Sequence, residues 1–273
     1  MLQQALKAGR VATRDEEKIK QLLDRVGEMI KDIPMDNTPP ETGEKIYRLA
    51  RKITGVIDPY KEIKRKNIQE ALSLYPTLKA IVRESQDRLM TAIRIAIAGN
   101  IIDHGINKEF SIEADINHIL EQELAILDYQ EFRDHLNQSN SILYIGDNAG
   151  ESVFDKILIE ELGKTVSYVV RENPIINDVT FQDAVDSGLH EVAEIISSGS
   201  SAPGTILSLC NEDFLKKFKS ADMIISKGQG NYEGLSIVNR TVFFLLKAKC
   251  HIIANDLNVK EGDIVLKGIN THL

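Results

Sequence analysis

The chain has 273 residues, 42% hydrophobic and 27% charged, proportions of an ordinary soluble globular protein long enough for a sizeable core and two domains. Thirty-three basic against 41 acidic residues give a net charge of −8, so no overall positive field draws in a nucleic-acid backbone. With no Trp and 5% aromatics, stacking platforms for single strands are scarce too. Cys210 and Cys250 lie outside any CxxC, which excludes a disulfide framework or zinc knuckle and points to a reducing cytoplasm. The N-terminal apolar stretch is broken by Lys7 and Arg10, and the apolar segment Ala92 to Ala98 carries Arg94 and is too short to cross a bilayer. Neither a signal peptide nor a membrane anchor is expected.

Residues 1–138 read as an all-helical domain. Ile19, Leu22, Leu23, Val26, Ile30 and Ile33 recur at helical spacing, and Pro34 ends that helix. Thr38, Pro39 and Glu41 spell a capping box for the next, whose buried stripe is Ile46, Leu49 and Ile53. A helix over Tyr60 to Tyr75 should stop at Pro76, and Leu89 to Ile102, apolar almost all round, should be a helix surrounded by others.

Residues 139–273 read differently, as a Rossmann-like α/β domain. Apolar runs at Ile142–Ile145, Val166–Val170, Thr205–Leu209, Met223–Ile225, Val242–Leu246 and His251–Ala254 suit strands covered on both faces. Helices are expected over Glu151–Leu162, Asp183–Ile196 and Glu212–Phe218. This alternation predicts a mainly parallel sheet with helices on both faces, which binds ligands beyond the carboxyl ends of its strands. The small-residue run Ser197–Gly204 reads as a surface loop. Most of the acidic excess lies in this second part, which favours a bound cation.

Three loops carry unusual chemistry. The first strand runs into Gly146-Asp147-Asn148-Ala149-Gly150-Glu151; a carboxylate and an amide at the end of a buried strand need partners, since each unpaired group costs ~1–3 kcal/mol. They could cap the following helix, or offer oxygens to a hard divalent cation. After the second strand come Arg171 and, further on, Asn177-Asp178-Val179-Thr180, where Asp178 either caps a helix or adds a third oxygen ligand. Lys227-Gly228-Gln229-Gly230-Asn231 follows another strand: glycines admit a close backbone approach, and Lys227 adds positive charge. This is neither GxxxxGK[ST] nor a GxGxxG after a first strand. Carboxylates and an amide for a metal, with Lys and Arg for an anion, suit phosphate chemistry. Other leads are thin: His190–Glu194 lacks the second histidine of a zinc helix, Lys267 stands where a calcium loop needs Glu, and no GxSxG is present.

Gly-Asp-Asn-Ala-Gly-Glu, Asn-Asp-Val-Thr and Lys-Gly-Gln-Gly-Asn-Tyr-Glu, with Gly99-Asn100-Ile101-Ile102-Asp103 upstream, together resemble the family first called domain of unknown function 89, described as metal-dependent damage-control phosphatases. The resemblance covers nearly the whole chain. It implies a Mg²⁺, Mn²⁺, Co²⁺ or Ni²⁺ site made by Asp147, Asn148 and Asp178, with Lys227 on the phosphate and Asn100 and Asp103 facing the cleft. Compact members often begin with Cys-x-x-Cys, which Met1-Leu2-Gln3-Gln4 lacks.

The leading expectation is therefore hydrolysis of phosphomonoesters of small metabolites, sugar phosphates or damaged phosphorylated intermediates. Catalysis falls to Asp147 and Lys227, and Arg171, Gly228, Gly230, Asn231, Asn100 and Asp103 are candidates for binding substrate. Either a water or Asp147 itself attacks phosphorus. The alternatives are an S-adenosylmethionine-dependent carboxyl methyltransferase, an activity also attributed to a relative in that family, and a noncatalytic metal- or metabolite-binding module. The methyltransferase would want glycines where Asp147 and Asn148 stand. Oligomeric state is left open.

Overall fold

The structure, a computed structural model, describes residues 1–35, 37–102 and 120–271, without the side chains of 100–102. Among these the N-terminal part contributes α1 (Leu2–Ala12), α2 (Glu16–Ile30), α3 (Pro39–Thr54), α4 (Lys61–Glu84) and α5 (Arg88–Ile102). The starts are written locally: Asp15 accepts the free N–H groups of Glu17 and Lys18, and Thr38 and Glu41 close the expected capping box. Gly55, at φ 77°, ends α3 in the left-handed conformation.

After α5 the described chain enters an alternating pattern: β1 (Leu124–Leu127), α6 (Tyr129–Gln138), β2 (Ser141–Ile145), α7 (Ser152–Leu162), β3 (Thr165–Val170), α8 (Phe181–Asp186), β4 (Glu194–Ser197), α9 (Glu212–Ser220), β5 (Met223–Lys227), α10 (Gln229–Leu235), β6 (Val242–Lys247), α11 (His251–Leu257) and β7 (Ile264–Ile269). The seven strands form one sheet ordered β1-β7-β6-β5-β2-β3-β4. Every neighbouring pair is parallel except β6 with β7. From β2 the chain winds outward through β3 and β4, then returns to β5 and β6 on the other side. The switch point therefore lies between β2 and β5, where such sheets open a crevice at their carboxyl ends.

Period-two alternation sends successive strand residues to two cores. Ile142, Tyr144, Tyr168, Ile225 and Phe243 join α4, α5, α6 and α7 on one face. Leu143, Ile145, Val169, Ile224 and Phe244 pack with Phe214, Tyr232 and Ile253 of α9, α10 and α11 on the other. A third cluster joins α1, α2 and α3 and takes in Ile175 from the loop after β3. No described helix is long and apolar enough to cross a membrane.

Several sequence expectations need correction. α4 runs through Pro76, because Ile68, Ala71 and Leu74 before it and Leu78 and Val82 after it share one buried stripe; that packing outweighs the ~3 kcal/mol cost of an interior proline. Residues before 138 are not all helical, since β1 lies at an edge of the sheet; its four apolar residues are too few for periodicity to identify. Asp183–Ile196 is not one helix. Gly188, at φ 78°, breaks it, and β4 follows. Thr205–Leu209 contains a 3-10 turn, and His251–Ala254 begins α11, ended by Asn258 in the left-handed conformation. The Ser197–Gly204 loop is largely inside the protein, with Ser198, Ser200 and Ala202 buried.

Candidate active site

The loops after β2, β3 and β5 meet at the switch point. The first two are joined by backbone: Asn148 and Asp178 form an antiparallel bridge, Ala149 N donates to Asn177 O (2.8 Å), and Val179 N donates to Asp147 O (2.8 Å). Two residues distant in sequence are thereby neighbours before any side chain is considered. Ile176, at φ 45°, precedes this ladder; a β-branched residue there is strained and persists only where its surroundings fix it. They do so from the helical side: Ile175 is buried among α1, α2 and α3, and Arg51 of α3 donates to Pro174 O (2.6 Å).

Each ligand candidate divides its polar atoms in a consistent way. Asp178 is buried, and its Oδ2 accepts from Arg171 Nε (2.8 Å). Asn148 donates Nδ2 to Glu151 Oε1 (2.6 Å), which sets the amide orientation and leaves Oδ1 as the atom to offer a cation. Asp147 is partly exposed and makes no ion pair among the described residues; its hydrogen bond from Asn148 Nδ2 is long, at 3.4 Å. Desolvation, then the charges of Glu151 and Asp178, push its carboxyl well above the usual range, against the opposing pull of Lys249 and Arg171. Asp178 is also raised, by burial first, although Arg171 opposes this. Among the described residues no three carboxylate, imidazole or thiol groups cluster as metal ligands.

Lys227 lies fully buried below these atoms. Its Nζ donates to Asp155 Oδ1 (2.7 Å) and Glu151 Oε2 (3.1 Å). Burial works to lower the ammonium pKa, but Asp155 and Glu151 outweigh it and hold it above the usual value. Asp155 in turn accepts from Tyr144 (2.8 Å) and Tyr168 (2.8 Å). Two of its three N–H groups are thus committed to carboxylates. Glu151 and Asp155, missed as site residues from the sequence, stand one helical turn apart at the start of α7, whose first eight residues are all buried.

Arg171 is also committed inside the protein: besides Asp178 it donates to Thr205 Oγ1 (3.2 Å) and Asn231 Oδ1 (2.9 Å). Asn231 completes a cross-brace, donating Nδ2 to Gly146 O (3.1 Å) at the end of β2 and to Lys227 O (2.7 Å) at the end of β5. The glycines do steric work. A Cβ on Gly228, whose φ is +79°, would stand 2.0 Å from Asp147 Oδ2, and one on Gly230 would stand 2.3 Å from Pro203 O. Asn100 is in α5, but its side chain lies outside the described residues, as does all of Asp103.

A doubly wound sheet with paired acidic loops at its switch point defines an α/β protein of the ligand-binding kind, its polar atoms gathered in one crevice. Comparison with known proteins narrows the class: the chain belongs to the damage-control phosphatase ARMT1-like family, whose domain matches residues 1–265. A damage-control phosphatase of Pyrococcus horikoshii is 36% identical over 243 residues, covering 87% of this chain and 84% of its own. Another, from Archaeoglobus fulgidus, is 32% identical over 271 residues, covering 94% and 92%. An uncharacterized protein of Methanocaldococcus jannaschii is 37% identical over 97% of this chain and 92% of its own. The crystal structure of a DUF89 family protein from P. horikoshii superposes with a TM-score of 0.90 at 33% identity, covering 97% of this chain and 94% of its own. The family resemblance and the α/β fold read from the sequence are both borne out.

Proposed function

We propose that the protein is a metal-dependent phosphatase that hydrolyses phosphomonoesters of small metabolites, a sugar phosphate or a damaged phosphorylated intermediate. The observation that carries this reading is the Asp147 carboxylate, placed beside Asp178 and Glu151 with no ion-pair partner among the described residues. Asp147, Asn148 and Asp178 present two carboxylates and an amide oxygen, a hard donor set that fits Mg²⁺, Mn²⁺, Co²⁺ or Ni²⁺. Bound there, such an ion supplies charge neutralisation for the phosphoryl oxygens. The named activities of the P. horikoshii and A. fulgidus relatives support the same reaction.

The chain's own residues do the positioning. Gly228, lacking a Cβ, lets the Asp147 carboxylate lie directly against the β5 loop, and Gly230 allows the neighbouring backbone to pack tightly. Arg171 fixes Asp178, and Glu151 fixes Asn148 while sharing Lys227 with Asp155. Held in this way, the ligands need little rearrangement as charge develops, which is how preorganised sites lower barriers. In hydrolysis a water oxygen bonds to phosphorus, the ester P–O bond breaks, and the departing oxygen gains a proton. Asp147, partly exposed, would orient that water. The free cysteines Cys210 and Cys250 suit a cytoplasmic setting.

The methyltransferase alternative finds no support in the β2 loop, where Asp147 and Asn148 stand in place of glycines. Steady-state assays on a panel of phosphomonoesters, each with Mg²⁺, Mn²⁺, Co²⁺ and Ni²⁺ in turn, test the proposal. Turnover is expected in wild type and lost in folded Asp147→Ala and Asp178→Ala variants. A folded wild-type protein inert with every ion and substrate overturns it.

A further inference from the structure

We infer that Lys249, on the loop after β6, is the residue that grips the phosphoryl group of the substrate at the mouth of the cleft. The inference rests on the phosphatase reading and deepens it. A phosphomonoester dianion brings several acceptor oxygens, and a single metal site leaves some of them to protein cations. The cations deepest in the cleft are already committed. Lys227 is held by Glu151 and Asp155, and Arg171 by Asp178, Thr205 and Asn231. Both lie buried, and swinging either side chain out to the cleft mouth would strip a buried carboxylate of its cation, a state proteins avoid.

Lys249 is placed differently. The carboxyl end of β6 lies beside that of β5, with Leu245 opposite Lys227 and Gly228 N donating to Leu245 O (3.1 Å). Two residues past β6, Lys249 N donates to Gln229 Oε1 (2.9 Å). Gln229 directly follows Gly228, the glycine whose Cβ position the Asp147 carboxylate would contest. On the other side Ala248 holds the segment, donating to Asp263 O (2.9 Å) and accepting from Gly262 N (2.7 Å). The backbone at Lys249 is thus pinned next to the site, while its side chain is exposed and makes no ion pair among the described residues. Its charge acts on Asp147 more strongly than that of Arg171. A compact ammonium on a flexible stem, open to water and close to the metal-binding carboxylate, suits a phosphate that must enter and leave.

Calorimetry of inorganic phosphate binding to the Mn²⁺-loaded protein tests the assignment directly, beside steady-state kinetics with p-nitrophenyl phosphate. Lys249→Ala should weaken phosphate binding about tenfold or more, the loss expected for one charged hydrogen bond, and raise KM in parallel. Lys249→Arg should recover most of the phosphate affinity, and both variants should still be stabilised thermally by Mn²⁺, since the carboxylate and amide ligands are untouched. Unchanged phosphate affinity in folded Lys249→Ala overturns the inference. Absence of wild-type turnover with every metal and ester defeats the phosphatase reading instead, and the phosphate titration still decides the role of Lys249.

Discussion

Gly228→Ala is a one-carbon change aimed at the centre of the site. The new methyl group would start 2.0 Å from Asp147 Oδ2 and 2.3 Å from its Cγ, where ordinary contact begins near 3.4 Å. The carboxylate must therefore retreat by about 1.4 Å, or the β5 loop must move by as much. Asp147 has little room, since its backbone is clasped by Val179 and its neighbour Asn148 is held by Glu151. The backbone adds its own penalty: φ 79° with ψ 159° is a conformation that essentially only glycine adopts, and forcing a residue with a Cβ into it costs ~1–3 kcal/mol. Displacements near 1 Å in a catalytic site cost ~100-fold in rate, so kcat/KM should fall about 100-fold, with ~1–3 kcal/mol lost in urea denaturation. Metal affinity, read by titration calorimetry, should fall as well. A folded Gly228→Ala protein with wild-type kcat/KM and metal affinity would refute the argument that Asp147 is held in place as a ligand.

Three further outcomes are expected. Glu151→Gln removes the charge that orients Asn148 and pairs with Lys227, and should weaken Mn²⁺ binding ~10–100-fold by calorimetry, as loss of a residue behind a metal ligand does. Arg171→Met leaves Asp178 buried without its guanidinium and should cost ~3–5 kcal/mol in urea denaturation. Asp222 accepts from the backbone N–H groups of Asn140 and Ser141 and from the Ser141 hydroxyl, which lowers its carboxyl pKa. A depressed carboxyl stabilises the fold above the unfolded value of ~3.9 and loses that contribution as pH falls through the folded value. Asp222→Asn should thus denature more easily than wild type at pH ~7, with the gap closing below pH ~3 in guanidinium titrations at several pH values.

What was legible in the chain follows from local chemistry. β2, β3, β5 and β6 announce themselves as short apolar runs, and the capping box of α3 gives its first residues. The loops carrying Asp147, Asn148 and Asp178 stand out because charged and amide groups end buried strands, where each needs a partner. Tertiary decisions were illegible. His251–Ala254 is as apolar as a strand yet packs as the start of α11, and Pro76 is carried along by packing on both sides. The placement of Lys227 was equally hidden: a lysine beside glycines suggests an anion, and only the fold brings Glu151 and Asp155 onto it.

The two backbone bonds that stitch the Asp147 and Asp178 loops together bear on how the protein can be handled. Because that seam belongs to the polypeptide itself, a chelator should strip the ion and silence the enzyme without melting it. Reloading should then be quick and should require no refolding, so that one batch of material can be taken through a whole series of metals.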